Sequence, residues 1–202
     1  MIQQGMLIIF MKKILKLDHK GFKMGFGQAL ARVLKAEGGY VNHPGDNGGE
    51  TFKGIARNFY PKWSGWIIVD SYADKEEAVI DTKLQKLVED FYFNFYWYKL
   101  KCSDMHNEFI AEMLFNFAIN MGKKQVVKKL QRILNVKADG IIGMHTLAAL
   151  NSREPQAFVH HFILEIVEFY AQISKKGNNH LFFRGWINRA MNVYYDAERY
   201  FK

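Results

Sequence analysis

The sequence predicts a mainly α-helical protein. Long stretches place apolar residues at helical spacing, few stretches alternate as strands do, and the 202 residues include only three prolines. A hydrophobic share of 49% and an aromatic share of 15% are typical of a globular chain that buries a core. This length fits one domain or two small, closely packed lobes.

The composition indicates an anionic partner, because the formal net charge is +8. The sequence contains no zinc-ligand spacing, Arg-rich recognition helix or RNA-binding aromatic strand, so no nucleic acid is expected. An anionic cell-wall surface fits the same charge. Cys102 is the single cysteine and lies in no thiol-protease pattern, and the histidines show no metal spacing. We therefore expect no metal and no cofactor. We also expect a monomer.

Residues 1–22 are predicted to form a leader that is flexible or packed on the surface. Their apolar run is too short to span a membrane. The lysines come after this run, whereas a signal peptide carries its basic residues before the apolar run. No cleavage site of small residues follows. A signal peptide is therefore not expected.

Residues 25–37 predict an amphipathic helix that stops at two glycines. One apolar stripe comprises Phe26, Ala29, Leu30, Val33 and Leu34. Gly38 and Gly39 then supply a residue that accepts the left-handed conformation. Glu37 falls at the edge of the apolar stripe. From the helix alone, an ordinary exposed glutamate and a site carboxylate are equally compatible with this position.

The next segment predicts a small β-hairpin beside this helix. Residues 43–49 consist of turn-forming residue types, and residues 51–56 alternate in the manner of a strand. Residues 60–66 form an aromatic-rich loop. Aromatic rings bind the apolar faces of sugars when they are exposed, but in a chain this rich in aromatics a core position is favoured.

The remaining sequence predicts helices almost throughout. Asp74 and Glu77 resemble a capping box that opens a helix running to Leu100. In the following helix, Asn116 and Asn120 lie four residues apart among apolar residues, where they either brace a turn or line a cleft. The predicted helices after Leu100 cover residues 108–121, 123–135, 144–150, 155–175 and 181–201.

Three side chains form a pattern that suits glycoside hydrolysis, namely Glu37, Asp46 and Thr51. This reaction needs a carboxylic acid that protonates the leaving oxygen and a second group that guides water or stabilises the oxocarbenium-like state. A glutamate at a helix end against an apolar stripe is desolvated, which raises its pKa. Asp46 in a polar loop should stay ionised, and Thr51 is suited to hold a water.

The same region resembles a known family. Glu-Gly-Gly-Tyr-Val-Asn at residues 37–42, followed by Gly-Gly-Glu-Thr-Phe-Lys-Gly-Ile at 48–55, is similar to the glycoside hydrolase family 108 N-acetylmuramidases, also known as secretion activator proteins. Residues 131–136 and Asp139-Gly140-Ile141-Ile142-Gly143 with Thr146 are similar to the peptidoglycan-binding region that ends those proteins. The order of Glu37, Asp46 and Thr51 is also similar to that of phage-type lysozymes.

The resemblance implies a lysozyme-like fold and cleavage of the β-1,4 bond of peptidoglycan, without a cofactor. It implies a catalytic lobe over residues 23–112 and a helical peptidoglycan-binding-like lobe over 113–202, packed as one compact unit. Glu37 matches the catalytic glutamate, which leaves Asp46 and Thr51 to assist. We expect sugar contacts from Tyr40, Asn116 and Asn120, and a wall-binding-like motif at Asp139, Gly140, Ile142, Gly143 and Thr146.

Two other functions fit the same residues. One is a wall-binding or secretion-assisting protein that keeps the fold without turnover, and the other is a glycosidase or lytic enzyme acting on chitin-like glycans. A muramidase would be made in the bacterial cytoplasm and act in the periplasm or cell wall after release. Both a prophage endolysin released through a holin and a secretion-linked wall enzyme are compatible with this route.

Overall fold

The computed structural model describes residues 24–42 and 48–202, without the side chains of Met24, Ala36 and Glu37. These residues form eight α helices and one small antiparallel sheet, so the predicted mainly α, lysozyme-like fold with a small β-hairpin is confirmed. The helices are α1 (Met24–Glu37), α2 (Gly65–Ser71), α3 (Thr82–Tyr92), α4 (Glu108–Met121), α5 (Lys123–Ile133), α6 (Met144–Asn151), α7 (Pro155–Ser174) and α8 (His180–Tyr200).

The chain divides into two compact units, the first ending at Trp97 and the second running from Tyr98 to Lys202. In the first unit, α1 buries four of the five residues of the predicted apolar stripe and leaves Leu34 half-buried, with Leu30 fully inaccessible to solvent. Three two-residue strands follow it: β1 (Tyr40–Val41), β2 (Thr51–Phe52) and β3 (Ile55–Ala56). Tyr40 pairs with Phe52 in the first ladder, and Phe52 pairs with Ile55 in the second.

The predicted helix from Asp74 to Leu100 is interrupted, which corrects the capping-box assignment. Asp74 accepts a hydrogen bond from the Glu76 backbone, and only a 3-10 turn, Glu77–Ile80, follows. Asp81 adopts an extended conformation and caps α3 by accepting from the Leu84 backbone N–H at 2.7 Å. A π-helical segment, Phe93–Trp97, continues α3. The sequence pattern misses this break because Asp81 is as good a cap as Asp74.

The aromatic residues of the first unit pack mainly against one another. Trp66, Tyr92 and Trp97 are buried, and the half-buried Trp63 packs edge-to-face on Trp66 with ring centroids 5.2 Å apart. The Trp66 indole N–H also donates to the Tyr60 carbonyl at 2.9 Å. These contacts place the tryptophans of the aromatic-rich loop in the core, the interpretation that the sequence favoured.

The second unit is built from α4 to α8. α4 follows the predicted bounds and is buried along most of its length, because its sequence is apolar nearly all round. α7 and α8 pack along each other, yet α8 fully buries only Ala190 and Ala197. The large buried side chains of this unit include Phe115, Phe117, Leu130, Phe162 and Ile166.

Several classes of site find no support in the described ranges, 24–42 and 48–202. No cluster of three potential metal ligands occurs there, and no helix there is long and apolar enough to span a membrane. Cys102 is 2% exposed, and its burial raises the pKa of the thiol far above the ordinary range. A thiol that is buried and protonated cannot serve as a nucleophile.

Candidate active site

Glu37 is the last residue of α1 and stands directly before the turn that enters the sheet. Gly38 takes a φ of +68°, a conformation that side chains other than glycine rarely adopt. The Gly39 carbonyl then accepts a hydrogen bond from the Lys53 backbone N–H at 2.8 Å. The backbone of the predicted acid is thus tied to the hairpin that carries Thr51.

Gly39 lies against the 3-10 turn that precedes α3. A Cβ atom at this position would stand 2.9 Å from Cγ2 of Val79 and 3.0 Å from Oε2 of Glu76. Both separations are shorter than ordinary van der Waals contact. A side chain at this position would therefore have to displace Val79 or Glu76.

Gly39→Ala should lower the free energy of unfolding by about 1–3 kcal/mol, because the added methyl group overpacks the contact with Val79. Chemical denaturation of the full chain measures this loss. Gly185→Ala is the matched control: this glycine lies within α8, where an added methyl group would meet no atom within 4 Å, so the control should be neutral or slightly stabilising. Equal stability of the Gly39→Ala protein and the wild type would refute the close contact.

Thr51 lies on β2, where it pairs with Val41 of β1. It is half-buried, and its hydroxyl group lies 3.5 Å from the Gly49 carbonyl, a long hydrogen bond that leaves capacity for a second partner. Asp46 lies outside the described residues. The ladder therefore brings Thr51 beside the strand that follows Glu37, while the assisting roles of Thr51 and Asp46 stay predictions.

Tyr40 belongs to a polar network that sequence reasoning missed. Its hydroxyl donates to Oε2 of Glu50 at 2.8 Å, and the other carboxylate oxygen of Glu50 contacts Nε of Arg57. Arg57 also donates two hydrogen bonds to Asp70, at 2.5 and 3.1 Å, and its guanidinium lies over the Trp66 ring. Partial burial raises the pKa of Tyr40, and the hydrogen bond to Glu50 raises it further.

This network joins β1, the residue before β2, the residue after β3, and α2. Its hydrogen bond to Arg57 lowers the pKa of Asp70, which keeps that carboxylate ionised. Tyr40 is therefore oriented by Glu50, while its predicted sugar contact stays a prediction. No local spacing reveals such a network, because each partner belongs to a different element.

Lys53 carries a buried ammonium group beneath the hairpin. The residue is 5% exposed, and its Nζ donates to Oε1 of Gln85 at 2.5 Å. Gln85 in turn donates to the Val79 carbonyl, and the Tyr92 hydroxyl donates to the Lys53 carbonyl at 2.8 Å. Burial lowers the pKa of Lys53 to about 8, although the negative charge of Glu89 acts to raise it. Burial likewise raises the pKa of Glu89.

The burial of Lys53 predicts a pH dependence of stability. Because its pKa is about 8 in the folded protein and 10.5 ordinarily, the unfolded chain binds more protons between these values, and stability should rise with pH across this window. The rise corresponds to about 3 kcal/mol at most. The raised pKa of Cys102 acts in the opposite sense and equally in both proteins, so the test compares the wild type with Lys53→Met. In urea unfolding, the free energy of unfolding of the wild type relative to Lys53→Met should rise between pH 7.5 and pH 10. An unchanged difference between the two proteins would contradict this prediction.

Asn116 and Asn120 lie on α4 of the second unit. The Asn120 amide donates to the Asn116 carbonyl at 2.7 Å and to its side-chain oxygen at 3.3 Å. Asn116 is half-buried and Asn120 is exposed. Because the two amides are partly exposed and bond to each other, the cost of burying them is largely avoided. Their contact with sugar stays a prediction.

The wall-binding-like motif is organised around Gln131, a residue that is 1% exposed. Its amide nitrogen lies within hydrogen-bond distance of Asp139 Oδ1 and the Ile141 carbonyl, both at 2.9 Å, and of the Thr146 hydroxyl at 3.2 Å. Its amide oxygen accepts from the Gly140 backbone N–H at 2.8 Å. Gly140 itself takes a φ of +86°, which suits glycine.

The polar groups of this motif therefore serve the loop itself. Asp139 also accepts from the Ile141 backbone N–H, and Thr146 and Ile142 are buried. Two apolar side chains of the same loop point outward: Ile141 is 71% exposed and Met144 is 73% exposed. The buried and hydrogen-bonded motif residues fix the shape of the loop, whereas Ile141 and Met144 form its exposed surface.

Two family models match this sequence. Residues 30–122 match the family model described as Glycosyl hydrolase 108, and residues 125–191 match the Predicted Peptidoglycan domain. Residues 30–122 of this chain therefore match the glycosyl hydrolase 108 family. The resemblance drawn from the two sequence motifs is confirmed, and peptidoglycan is the partner that the second match supports.

A solved structure is similar to this chain over most of the length of both proteins. The structure of Brucella abortus SagA is 28% identical in sequence, with a TM-score of 0.65, and the alignment covers 86% of this chain and 94% of the SagA chain. No curated protein matches the sequence. The likeness to SagA extends across both matched domains.

The domain boundaries follow from two separate observations. Compactness divides the chain after Trp97, whereas the family matches meet between residues 122 and 125. The glycosyl hydrolase 108 match therefore includes α4 of the second compact unit. The predicted boundary between residues 112 and 113 lies between these two divisions.

Proposed function

We propose that this protein is an N-acetylmuramidase that cleaves the β-1,4 glycosidic bond of peptidoglycan, with Glu37 as the general acid. The observation that carries the proposal is the position of Glu37. It ends α1 within the glycosyl hydrolase 108 match and stands directly before the hairpin that bears Thr51. A carboxylic acid at this point would protonate the leaving oxygen of the glycan.

The pairing of nearby carboxylates supports the choice of Glu37. Glu50 is engaged by Tyr40 and Arg57, and Asp70 is held ionised by Arg57. A carboxylate that is kept ionised by a guanidinium is a poor proton donor near neutral pH. Asp70 is thus unsuited to act as the acid, and Glu50, with both carboxylate oxygens engaged, is placed to orient the hairpin.

The assisting groups follow the chemistry of glycoside hydrolysis. Asp46 and Thr51 would position the attacking water or stabilise the oxocarbenium-like state after the bond begins to break. Tyr40, held by Glu50, would present its ring to the sugar. The enzyme would be released from the cytoplasm to act in the periplasm or cell wall, where its substrate lies.

The test is the release of soluble muropeptides with new reducing ends from purified cell walls. A muramidase releases them at a rate proportional to enzyme concentration. A wall-binding or secretion-assisting protein on the same fold would adsorb to the walls without releasing them. Adsorption without release would overturn the catalytic assignment.

A further inference from the structure

Charge is distributed unevenly between the two compact units. Residues 98–202 contain fifteen Lys and Arg against nine Asp and Glu, a net charge of +6 out of +8 for the chain. Within them, residues 123–146 hold six basic residues and one acidic residue, Asp139, a net charge of +5. This is the segment that builds α5 and the Gln131-centred loop.

The basic side chains of this segment lie beside the loop. Lys124 and Lys128 are one helical turn apart on α5, and their Cγ atoms stand 2.8 and 3.6 Å from the position of a Cβ on Gly140. Arg132 continues the row by one further turn. Among the described residues, no carboxylate lies within ion-pair distance of Lys124 or Lys128. These cations are thus available to a partner.

Two exposed apolar residues follow Gly140, the glycine that Lys124 and Lys128 approach. Ile141 follows Gly140 directly, Met144 stands three residues further on, and both are mostly exposed. The hydrogen bonds of Gln131 and Asp139 hold this loop in one conformation, so the exposed side chains are presented on a rigid support. Cations beside exposed apolar side chains suit a ligand that carries both carboxylates and small apolar groups.

We propose that Lys124, Lys128, Ile141 and Met144 form a surface that binds the peptide stems of peptidoglycan. This inference rests on the proposed function for its choice of polymer. The stems carry free carboxylates and alanine methyl groups, whereas the glycan backbone offers mainly hydroxyls and amides. The carboxylates complement the lysines, and the methyl groups complement Ile141 and Met144. The surface would hold the wall while the chemistry proceeds elsewhere on the chain.

The experiment measures cosedimentation of the full-length Glu37→Gln protein with two preparations of cell-wall sacculi, one intact and one stripped of phosphate-containing polymers by hydrofluoric acid. Binding should be equal to both. Soluble stem peptides should compete for this binding at least about tenfold better than soluble glycan strands freed of their stems by an amidase. Binding that follows the phosphate polymers, or that stem-free glycan strands displace as well as the peptides do, would overturn the proposal.

Two pairs of substitutions locate the surface. Lys124→Glu with Lys128→Glu should weaken binding to intact sacculi by about tenfold or more, since two attractions become repulsions. Ile141→Ser with Met144→Ser tests the apolar part independently at two exposed positions and should also weaken binding. Lys175→Glu with Lys176→Glu is the matched control, because both lysines are exposed at the end of α7, and binding should change far less. Equal losses in the control and the Lys124/Lys128 protein would show only a general charge effect and overturn the assignment.

Failure of this proposal is distinguishable from failure of the muramidase assignment. Cosedimentation does not depend on turnover, so a protein that binds stems through these residues without releasing muropeptides overturns only the catalytic proposal. A protein that releases muropeptides while all surface variants bind like the parent protein overturns only this one.

Discussion

Glu37→Gln should reduce the release of soluble muropeptides by about 10²–10⁴-fold, the contribution typical of a general acid. The amide keeps the size and polarity of the side chain but has no proton to give to the leaving oxygen. Because Glu37 is the last residue of α1, the substitution should leave the unfolding midpoint nearly unchanged. The loss of turbidity of a purified cell-wall suspension measures the effect.

Glu89→Gln is the matched comparison for this experiment. Glu89 lies in the same unit, on α3, and burial raises its pKa, so it is the described carboxylate whose protonation most resembles that of a general acid. We expect it to retain most activity, because it faces the buried ammonium of Lys53. Undiminished clearing by Glu37→Gln together with loss in Glu89→Gln would transfer the role to Glu89.

Gln131→Ala should lower the free energy of unfolding by about 3 kcal/mol or more, because it leaves several buried or half-buried polar groups without their partner. The Gly140 backbone N–H and the Thr146 hydroxyl each lose a hydrogen bond. The loop should then lose its fixed conformation, and binding to cell walls should fall with stability. Chemical denaturation measures the first effect and cosedimentation the second.

Gln125→Ala provides the control on the same helix. Gln125 is exposed on α5, so its truncation should change the free energy of unfolding by less than about 0.5 kcal/mol. Similar small effects for both substitutions would mean that the Gln131 hydrogen bonds do not hold the loop.

Helical periodicity predicts much of this fold because the helices are strongly amphipathic or wholly apolar. The bounds of α4 follow the prediction, and those of α1 and α7 lie within one residue of it. The break at Asp81 escapes prediction, since two aspartates seven residues apart offer equivalent caps. Local sequence cannot choose between them.

The candidate site is predictable to a smaller extent. Glu37 and Thr51 are recognisable because they lie in contiguous motifs, and the structure places both at the junction of α1 with the hairpin. The network of Tyr40, Glu50, Arg57 and Asp70 depends on tertiary contacts between separate elements. In the second motif, the residues recognised from the sequence are those that shape the loop through internal hydrogen bonds. The outward side chains, Ile141 and Met144, are found only from exposure.

Mass spectrometry of peptidoglycan digested by the wild-type protein tests the central claim most directly. After borohydride reduction, we expect soluble muropeptides that end in reduced N-acetylmuramic acid, the product of hydrolysis at the β-1,4 bond. The Glu37→Gln protein should yield almost none under the same conditions. Fragments that end in anhydro sugars, fragments that end in reduced N-acetylglucosamine, or a wild-type digest without soluble fragments would contradict the assignment of this protein as a muramidase.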